Sequence, residues 1–260
     1  MNCIYRSIWN EKTGTFVAAS EDATSGGKKA SSCTGAGTDP AHLALKSLVL
    51  CLAIGFGAAA YALPQGGVVA AGGASIAGTA GATTITQTTQ NAAINWQSFS
   101  IGARESVLFL QPNANSIALN RVLGADPSSI LGSLSANGKV FLVNPNGILF
   151  GQGASVNVGG LVASTLNVAD SDFMAGRYNF TGTSSATVLN QGTIHADGGY
   201  VALLGANVTN DGVISARLGS VALAAGNAMT LDVAGDGLLN VTVNQGAVDA
   251  LAQNGGLIRA

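Results

Sequence analysis

Side chains able to do covalent or metal chemistry are scarce in this sequence, and their positions narrow the options further. The three cysteines, Cys3, Cys33 and Cys51, all lie within the first 51 residues. Beyond Ala62 there is no cysteine and a single histidine, His195. A thiol nucleophile or a zinc site needs more than that. Beyond Ala62 the closest pair of carboxylates is Asp170-Ser-Asp172, in an expected loop ahead of residues 173–178. Calcium takes about six to eight oxygen ligands, which such a pair does not supply. Carbohydrate-cleaving enzymes need paired carboxylates, and acidic residues here are sparse and scattered. No phosphate loop, dinucleotide fingerprint or His-Glu-x-x-His motif occurs. The sequence therefore predicts no catalytic residue, no cofactor and no metal site. A net charge of -2 with only 9% charged residues also argues against a nucleic-acid partner.

The composition describes a scaffold instead. Apolar residues make up 47% of the chain and aromatics 5%, with 36 glycines in no collagen-like period. That is too apolar for disorder. From Leu63 onward no window carries a long helical period. Short runs of Val, Ile, Leu and Thr alternate with Gly and Asn, as at 83–87, 106–110, 139–143 and 220–223. Runs of this kind bounded by turn formers read as strands. Residues 126–134 read as one short helical turn.

A repeat organises these strands. Asn190-Gln-Gly-Thr-Ile-His-Ala196 returns 20 residues later as Asn210-Asp-Gly-Val-Ile-Ser-Ala216. Gly199-Tyr-Val-Ala-Leu203 returns at the same offset as Gly219-Ser-Val-Ala-Leu223, and Asn254-Gly-Gly-Leu-Ile-Arg-Ala260 repeats the first pattern again. Two elements sharing one period predict a solenoid. No single unit can bury its own apolar face, so Ile194 is expected over Ile214, and Val201 and Leu203 over Val221 and Leu223. Asn190 and Asn210 are expected to form a side-chain ladder, with Gly192 and Gly212 taking the tight backbone. His195 then falls on a solvated position. At about 20 residues per coil, residues 63–260 would make roughly ten coils spaced about 4.8 Å apart. A β-sandwich is the other all-β architecture, but it does not require one fixed offset. The sequence stops at Ala260 inside a repeat and without a polar cap, so the solenoid is expected to continue beyond it.

The N-terminal segment has a different character. Residues 47–60 form a 14-residue apolar run, shorter than the roughly 20 residues that span a bilayer. Lys46 precedes the run and Ala60-Tyr61-Ala62 follows it. A basic flank, an apolar core and an Ala-x-Ala site are the parts of a cleaved signal peptide. Cleavage after Ala62 would make Leu63 the first mature residue and remove every cysteine. Two explanations of a cysteine-free mature chain stand side by side. The chain must stay unfolded in an oxidising periplasm, or a β-repeat fold simply needs no disulfides. The 46 residues ahead of the apolar core far exceed an ordinary n-region. Beginning Met1-Asn2-Cys3-Ile4-Tyr5-Arg6, they resemble the extended signal peptides of large two-partner secretion proteins and long autotransporters.

Residues 91–166 carry the most specific block. It contains Asn91-Ala-Ala-Ile-Asn-Trp96, Phe99, Ala118-Leu-Asn120-Arg121-Val122, and Gly138-Lys-Val-Phe-Leu-Val-Asn144-Pro145-Asn146-Gly147-Ile148-Leu-Phe150. Read by themselves, residues 140–143 are a strand. Pro145 fixes φ in a turn, Asn146 tolerates the next position and Gly147 allows a positive φ, before a second strand starts at Ile148. Trp96 and Phe99 read as core or cap anchors. Arg121 has two readings: an ion pair with Glu105 or Asp126, or an exposed recognition residue.

Together these motifs resemble the secretion domain of the filamentous haemagglutinin family, and most of all its high-molecular-weight adhesin branch. The resemblance covers about residues 68–180. The Asn-Pro-Asn-Gly-Ile motif at 144–148 matches the family hallmark, whereas its Asn-Pro-Asn-Leu motif is replaced by Gln111-Pro112-Asn113-Ala114. The resemblance implies a right-handed parallel β-helix with an N-terminal cap. It implies an extended signal peptide at 1–62 (extension 1–46, apolar core 47–60), a secretion domain at 63–180 and β-helical repeats at 181–260. It also implies a partner, an outer-membrane β-barrel transporter in a Gram-negative bacterium, with Asn144, Pro145, Asn146, Gly147 and Ile148 as the secretion motif. Trp96, Phe99, Asn120 and Arg121 become candidates for pore recognition or capping. The expected product is a large adhesin or haemagglutinin, secreted or held at the cell surface. Its downstream region would touch a host or neighbouring cell. A secreted β-helical enzyme, or a toxin carrier of the haemolysin or contact-dependent inhibition type, is the alternative.

Overall fold

A computed structural model describes residues 5–10, 15–20, 62–233 and 239–260. The apolar run 47–60, all three cysteines and Ala60 lie outside the described residues. The chain divides into two units, Met1–Ala58 and Ala59–Ala260. In the first, Tyr5–Asn10 and Thr15–Ser20 pair as an antiparallel hairpin.

In the second unit the chain winds as a parallel β-helix. One regular coil runs through Lys139–Val143, Ile148–Phe150 and Ser155–Asn157 before the next begins at Gly160–Ser164. Each strand pairs in parallel with its counterpart one coil away. Three ladders of eight, seven and five strands result. At the N-terminal end the pairing reverses. Val68–Ala71 runs antiparallel to Asn91–Trp96, and Ala74–Thr79 runs antiparallel to Ala82–Gln87. Antiparallel hairpins end the parallel stack there, which is the device a solenoid needs at its end.

The 20-residue stacking follows the repeat. Ile194 pairs with Ile214 and then Ile258, while Val201 and Leu203 pair with Val221 and Leu223. The number of coils differs from the expectation. Six parallel rungs, starting at Asn91, Ile117, Lys139, Gly160, Tyr200 and Ser220, form one uninterrupted ladder, and seven, starting at Ala82, Ser106, Ser133, Ser155, Thr193, Val213 and Leu257, form the longest. The N-terminal hairpins take residues that would otherwise make coils. So do two insertions, which leave the solenoid at the same corner. The first holds a short helix, Asp170–Met174, and the strand Tyr178–Thr181; the second holds Ala228–Val233 and Leu239–Gln245. Their strands join in one antiparallel sheet laid on the outside of the solenoid.

That outer sheet explains the apolar runs. In Lys139–Val143, Val140 and Leu142 point into the solenoid core. Phe141 and Val143 belong to a second core with Phe173, Tyr178, Phe180 and Leu231 of the insertions. A strand covered on both faces reads as continuous apolar sequence rather than as alternation. Tyr200–Gly205 is likewise buried at every position.

Residues 126–134 are not helical. Ser128–Ile130 pairs with Ile148–Phe150, and Ser133–Ala136 pairs with strands on both sides. Their backbone donors and acceptors are taken by neighbouring coils, so a local helical turn has nothing to offer them.

Candidate functional site

Asn144 ends one strand and begins the turn to the next, and its side chain is fully buried. Its amide nitrogen donates to the Asp126 carbonyl and the Ser128 hydroxyl, both at 3.0 Å, on the preceding coil. Its side-chain oxygen accepts from the Asn146 N–H at 2.9 Å. That contact is an Asx turn, a local bond that asparagine makes without help from distant residues. The Gly147 N–H closes the turn on the Asn144 carbonyl at 3.1 Å, and the Gly147 carbonyl accepts from Ser128 N–H at 3.0 Å. Gly147 sits at φ 111°, where a side chain would be strained. Ile148 is buried in the solenoid core.

Pro145 and Asn146, between these fixed points, are exposed. Asn146 donates to the Gly124 carbonyl at 2.8 Å, and the Ser184 hydroxyl donates to the Pro145 carbonyl. The turn is thereby held from the coil before it and from the first insertion after it. Beside it lies an open cleft of about 680 Å³, lined by Pro127, Pro145, Asn146, Asn167, Thr181 and Ser184 among others. Its chemistry is that of amides, hydroxyls and proline rings, suited to an uncharged polar or extended-peptide contact.

The other predicted site residues occupy the interior. Trp96 and Phe99 are each 1% exposed and meet edge to face, with ring centroids 5.5 Å apart. The Trp96 indole N–H donates to the Asn120 side-chain oxygen at 3.0 Å, and Asn120 is fully buried. Arg121 pairs with neither Glu105 nor Asp126. Its guanidinium meets Asp170 at 2.7 Å, Asn167 at 2.8 Å and Asn95 at 3.2 Å, and its side chain is only 11% exposed. The reason is topological: the first insertion brings its helix back over the Arg121 strand, which neighbouring sequence could not show. Glu105 instead accepts from backbone N–H groups of Ala62 and Gly102.

Polar ladders complete the picture. Asn190 donates to Asn210 at 2.7 Å, and Asn210 donates to Asn254 at 2.6 Å. Gly192 and Gly212 do not adopt positive φ. They allow close approach, since a Cβ on Gly212 would lie 2.2 Å from the Gly192 carbonyl oxygen. His195 is exposed. Among the described residues no three His, Cys, Asp or Glu side chains converge as metal ligands would. Tyr200, buried with its hydroxyl unpartnered, is held well above the usual phenol range by burial and then by Tyr178.

An N-capped parallel β-helix with a fixed asparagine turn and outward insertions defines a class of capped β-solenoid domain. The chain belongs to the TPS, or two-partner secretion, domain family: residues 60–260 match the TPS secretion domain, and residues 1–50 match the Extended Signal Peptide of Type V secretion system. It is 38% identical over 214 residues to a heme/hemopexin-binding protein of Haemophilus influenzae strain Rd, a match covering 78% of this chain and 23% of that protein. A second Haemophilus influenzae heme/hemopexin-binding protein is 45% identical over 115 residues, covering 44% of this chain and 12% of the relative. The crystal structure of the HMW1 secretion domain from Haemophilus influenzae superposes with a TM-score of 0.67 at 38% identity, covering 75% of this chain and 53% of that one. The chain spans about a quarter or less of the curated relatives it matches.

The chain thus carries a two-partner secretion domain behind an extended signal peptide. It is exported by an extended signal peptide into the periplasm of a Gram-negative bacterium and from there to the cell surface. A domain of this family has an outer-membrane transporter as its partner.

Proposed function

We propose that the turn formed by Asn144, Pro145, Asn146, Gly147 and Ile148 is the element the transporter depends on, as recognition motif and as folding nucleus. The observation that carries this reading is the division of labour within five residues. Asn144 locks two coils together from inside, while Pro145 and Asn146 face outward beside a polar cleft. A turn that preorganises two coils favours the first rungs to emerge, and folding outside the cell then disfavours return. Burial of apolar surface at about 25 cal/mol per Å² supplies a driving force where no nucleotide is at hand. In this reading Trp96, Phe99, Asn120 and Arg121 build the cap and the flank, because their side chains are spent on internal contacts.

The test compares Asn144→Ala with the pair Pro145→Ala and Asn146→Ala. Secretion is read as the ratio of medium to periplasmic antigen, alongside binding of the unfolded chain to the transporter's isolated periplasmic region. Loss of both readouts in the exposed-residue pair supports recognition. Loss of secretion in Asn144→Ala alone, with binding intact, assigns the turn to folding. Normal secretion in all three variants removes the proposal.

For the whole exoprotein we propose adhesion to a host or neighbouring cell, carried by residues downstream of this domain. A second reading, haem or hemopexin capture, is favoured by the likeness to two heme/hemopexin-binding proteins. Retention of hemopexin by the secreted full-length protein would select the second reading; cell binding without such retention would select the first. No enzymatic role and no nucleic-acid partner are proposed.

A further inference from the structure

Glu105 is 7% exposed, yet among the described residues it belongs to no ion pair. A buried carboxylate is costly unless hydrogen bonds and an opposite charge compensate it. One oxygen accepts from the Gly102 N–H at 2.7 Å. Otherwise both oxygens converge on a single nitrogen, that of Ala62, at 3.0 and 3.1 Å. A peptide N–H has one proton to share between two acceptors. An ammonium group at that place would have three protons and a positive charge.

The position is the one at which processing makes such a group. Ala60-Tyr61-Ala62 is the Ala-x-Ala site. Just beyond it the chain is already fixed to the end of the solenoid. Leu63 packs on the core, Pro64 is buried, and the Gln65 N–H donates to the Ser98 carbonyl at 2.9 Å. Hydrolysis of the Ala62–Leu63 bond by a signal peptidase adds one water. The new carboxylate leaves with the signal peptide, and the amine stays on Leu63 and takes up a proton. The Leu63 nitrogen lies at most about 3.6 Å along the chain from that of Ala62. Departure of Ala62 leaves both Glu105 oxygens able to turn to it.

We propose that Glu105 is the receptor for the α-ammonium group of the mature chain, so that removal of the signal peptide supplies the cation that completes the N-terminal cap. Before cleavage Glu105 holds a neutral amide; after it, a charge-assisted pair. Processing thus prepares the cation that the cap takes up when the chain folds outside the cell. A chain that folded with Ala62 still attached would hold the neutral amide and lack the ion pair. The pair also anchors the start of the Gln65–Ser98 bridge against the turn that begins at Gly102. This inference rests on cleavage after Ala62 and is independent of how the transporter reads the Asn144 turn.

The experiment uses the protein secreted into the medium by the wild type and by Glu105→Gln, which keeps an acceptor oxygen and removes the charge. N-terminal sequencing is expected to start at Leu63; a start elsewhere overturns the proposal. The α-amine is then acetylated with a limiting reagent near neutral pH, and the N-terminal peptide is followed by mass spectrometry. In the folded wild type the reaction is expected to be about tenfold slower than in the variant, a factor that one unit of amine pKa produces. The two are expected to react alike in urea. Equal rates in the folded proteins overturn it. If Glu105→Gln does not reach the medium, Glu105→Asp, which keeps the charge but shortens the reach, takes its place. Partial loss of protection is then expected, and unchanged protection overturns the proposal.

Discussion

Asn190 and Asn210 lie 20 residues apart and stack directly, the amide of the first donating to the oxygen of the second at 2.7 Å. Both are fully buried, and Asn210 passes the pattern on to Asn254. Asn210→Ala removes two bonds; it strands the buried Asn190 donor and leaves the exposed Asn254 oxygen to water. Leaving buried polar groups unpaired costs about 1–3 kcal/mol each. The expected result is a clearly lower urea midpoint, and one at least as low for Asn190→Ala, which also takes the side-chain acceptor from the buried Gly192 N–H. Midpoints equal to that of the wild type would mean that water replaces the ladder.

Glycines separate into those that touch another coil and those that do not. A Cβ on Gly199 would lie 1.8 Å from the Gly159 carbonyl oxygen, whereas one on Gly78 meets nothing within 4 Å. Gly199→Ala is expected to destabilise by about 3 kcal/mol or to block folding. Gly78→Ala should stay within about 0.5 kcal/mol of the wild type. Denaturation of the secreted proteins checks both.

At one corner the solenoid asks for left-handed backbone in successive coils. Gly198 supplies it at φ 76°, and 20 residues on Leu218 adopts φ 60° with its side chain 97% exposed. The leucine gains nothing from burial and bears a steric cost of about 1–2 kcal/mol. Leu218→Gly is therefore expected to raise the unfolding temperature by a few degrees.

Asp197 and Arg217 face each other across the same two coils, with Oδ2 and the guanidinium 2.7 Å apart. Hydrogen bonds from the Arg217 side chain and backbone hold the Asp197 pKa down to about 2. A depressed carboxylate contributes stability above its unfolded pKa and loses it as pH falls through the folded value. The window here runs from about pH 3.8 down to about 2. The pair is solvated, so its energy is small and carboxyl chemical shifts are the right readout. Arg217→Ala is expected to return the midpoint toward the ordinary value.

Val201 is fully buried and pairs with the half-buried Val221. If folding drives export, Val201→Asp is expected to reduce the secreted fraction more than Val221→Asp. Both should still be processed by signal peptidase. Normal exit of both variants would require another source of drive.

The sequence shows why these pairs were partly legible beforehand. A repeat at a fixed offset states its own stacking, so Ile194 over Ile214 and the asparagine ladder could be read directly. The turn at 144–148 was legible too, because Asn, Pro and Gly each constrain backbone within a few bonds. The reading failed where a strand is set by a neighbouring coil outside the exact repeat or by an insertion. Ser128–Ile130 became a strand because Ile148–Phe150 lies beside it. Arg121 found Asp170 because the chain between them folds back.

By itself, then, the sequence determined the periodic part of this protein: the solenoid, the residues that stack and the asparagine turn. Those features arise from local geometry repeated at one interval. Only the tertiary structure decided what the interruptions do. It joined two insertions into one sheet over Phe141 and Tyr200, spent Arg121 on an internal pair, and set Glu105 against the Ala62 N–H. Such contacts depend on where non-repeating segments land, and no period in the sequence records that.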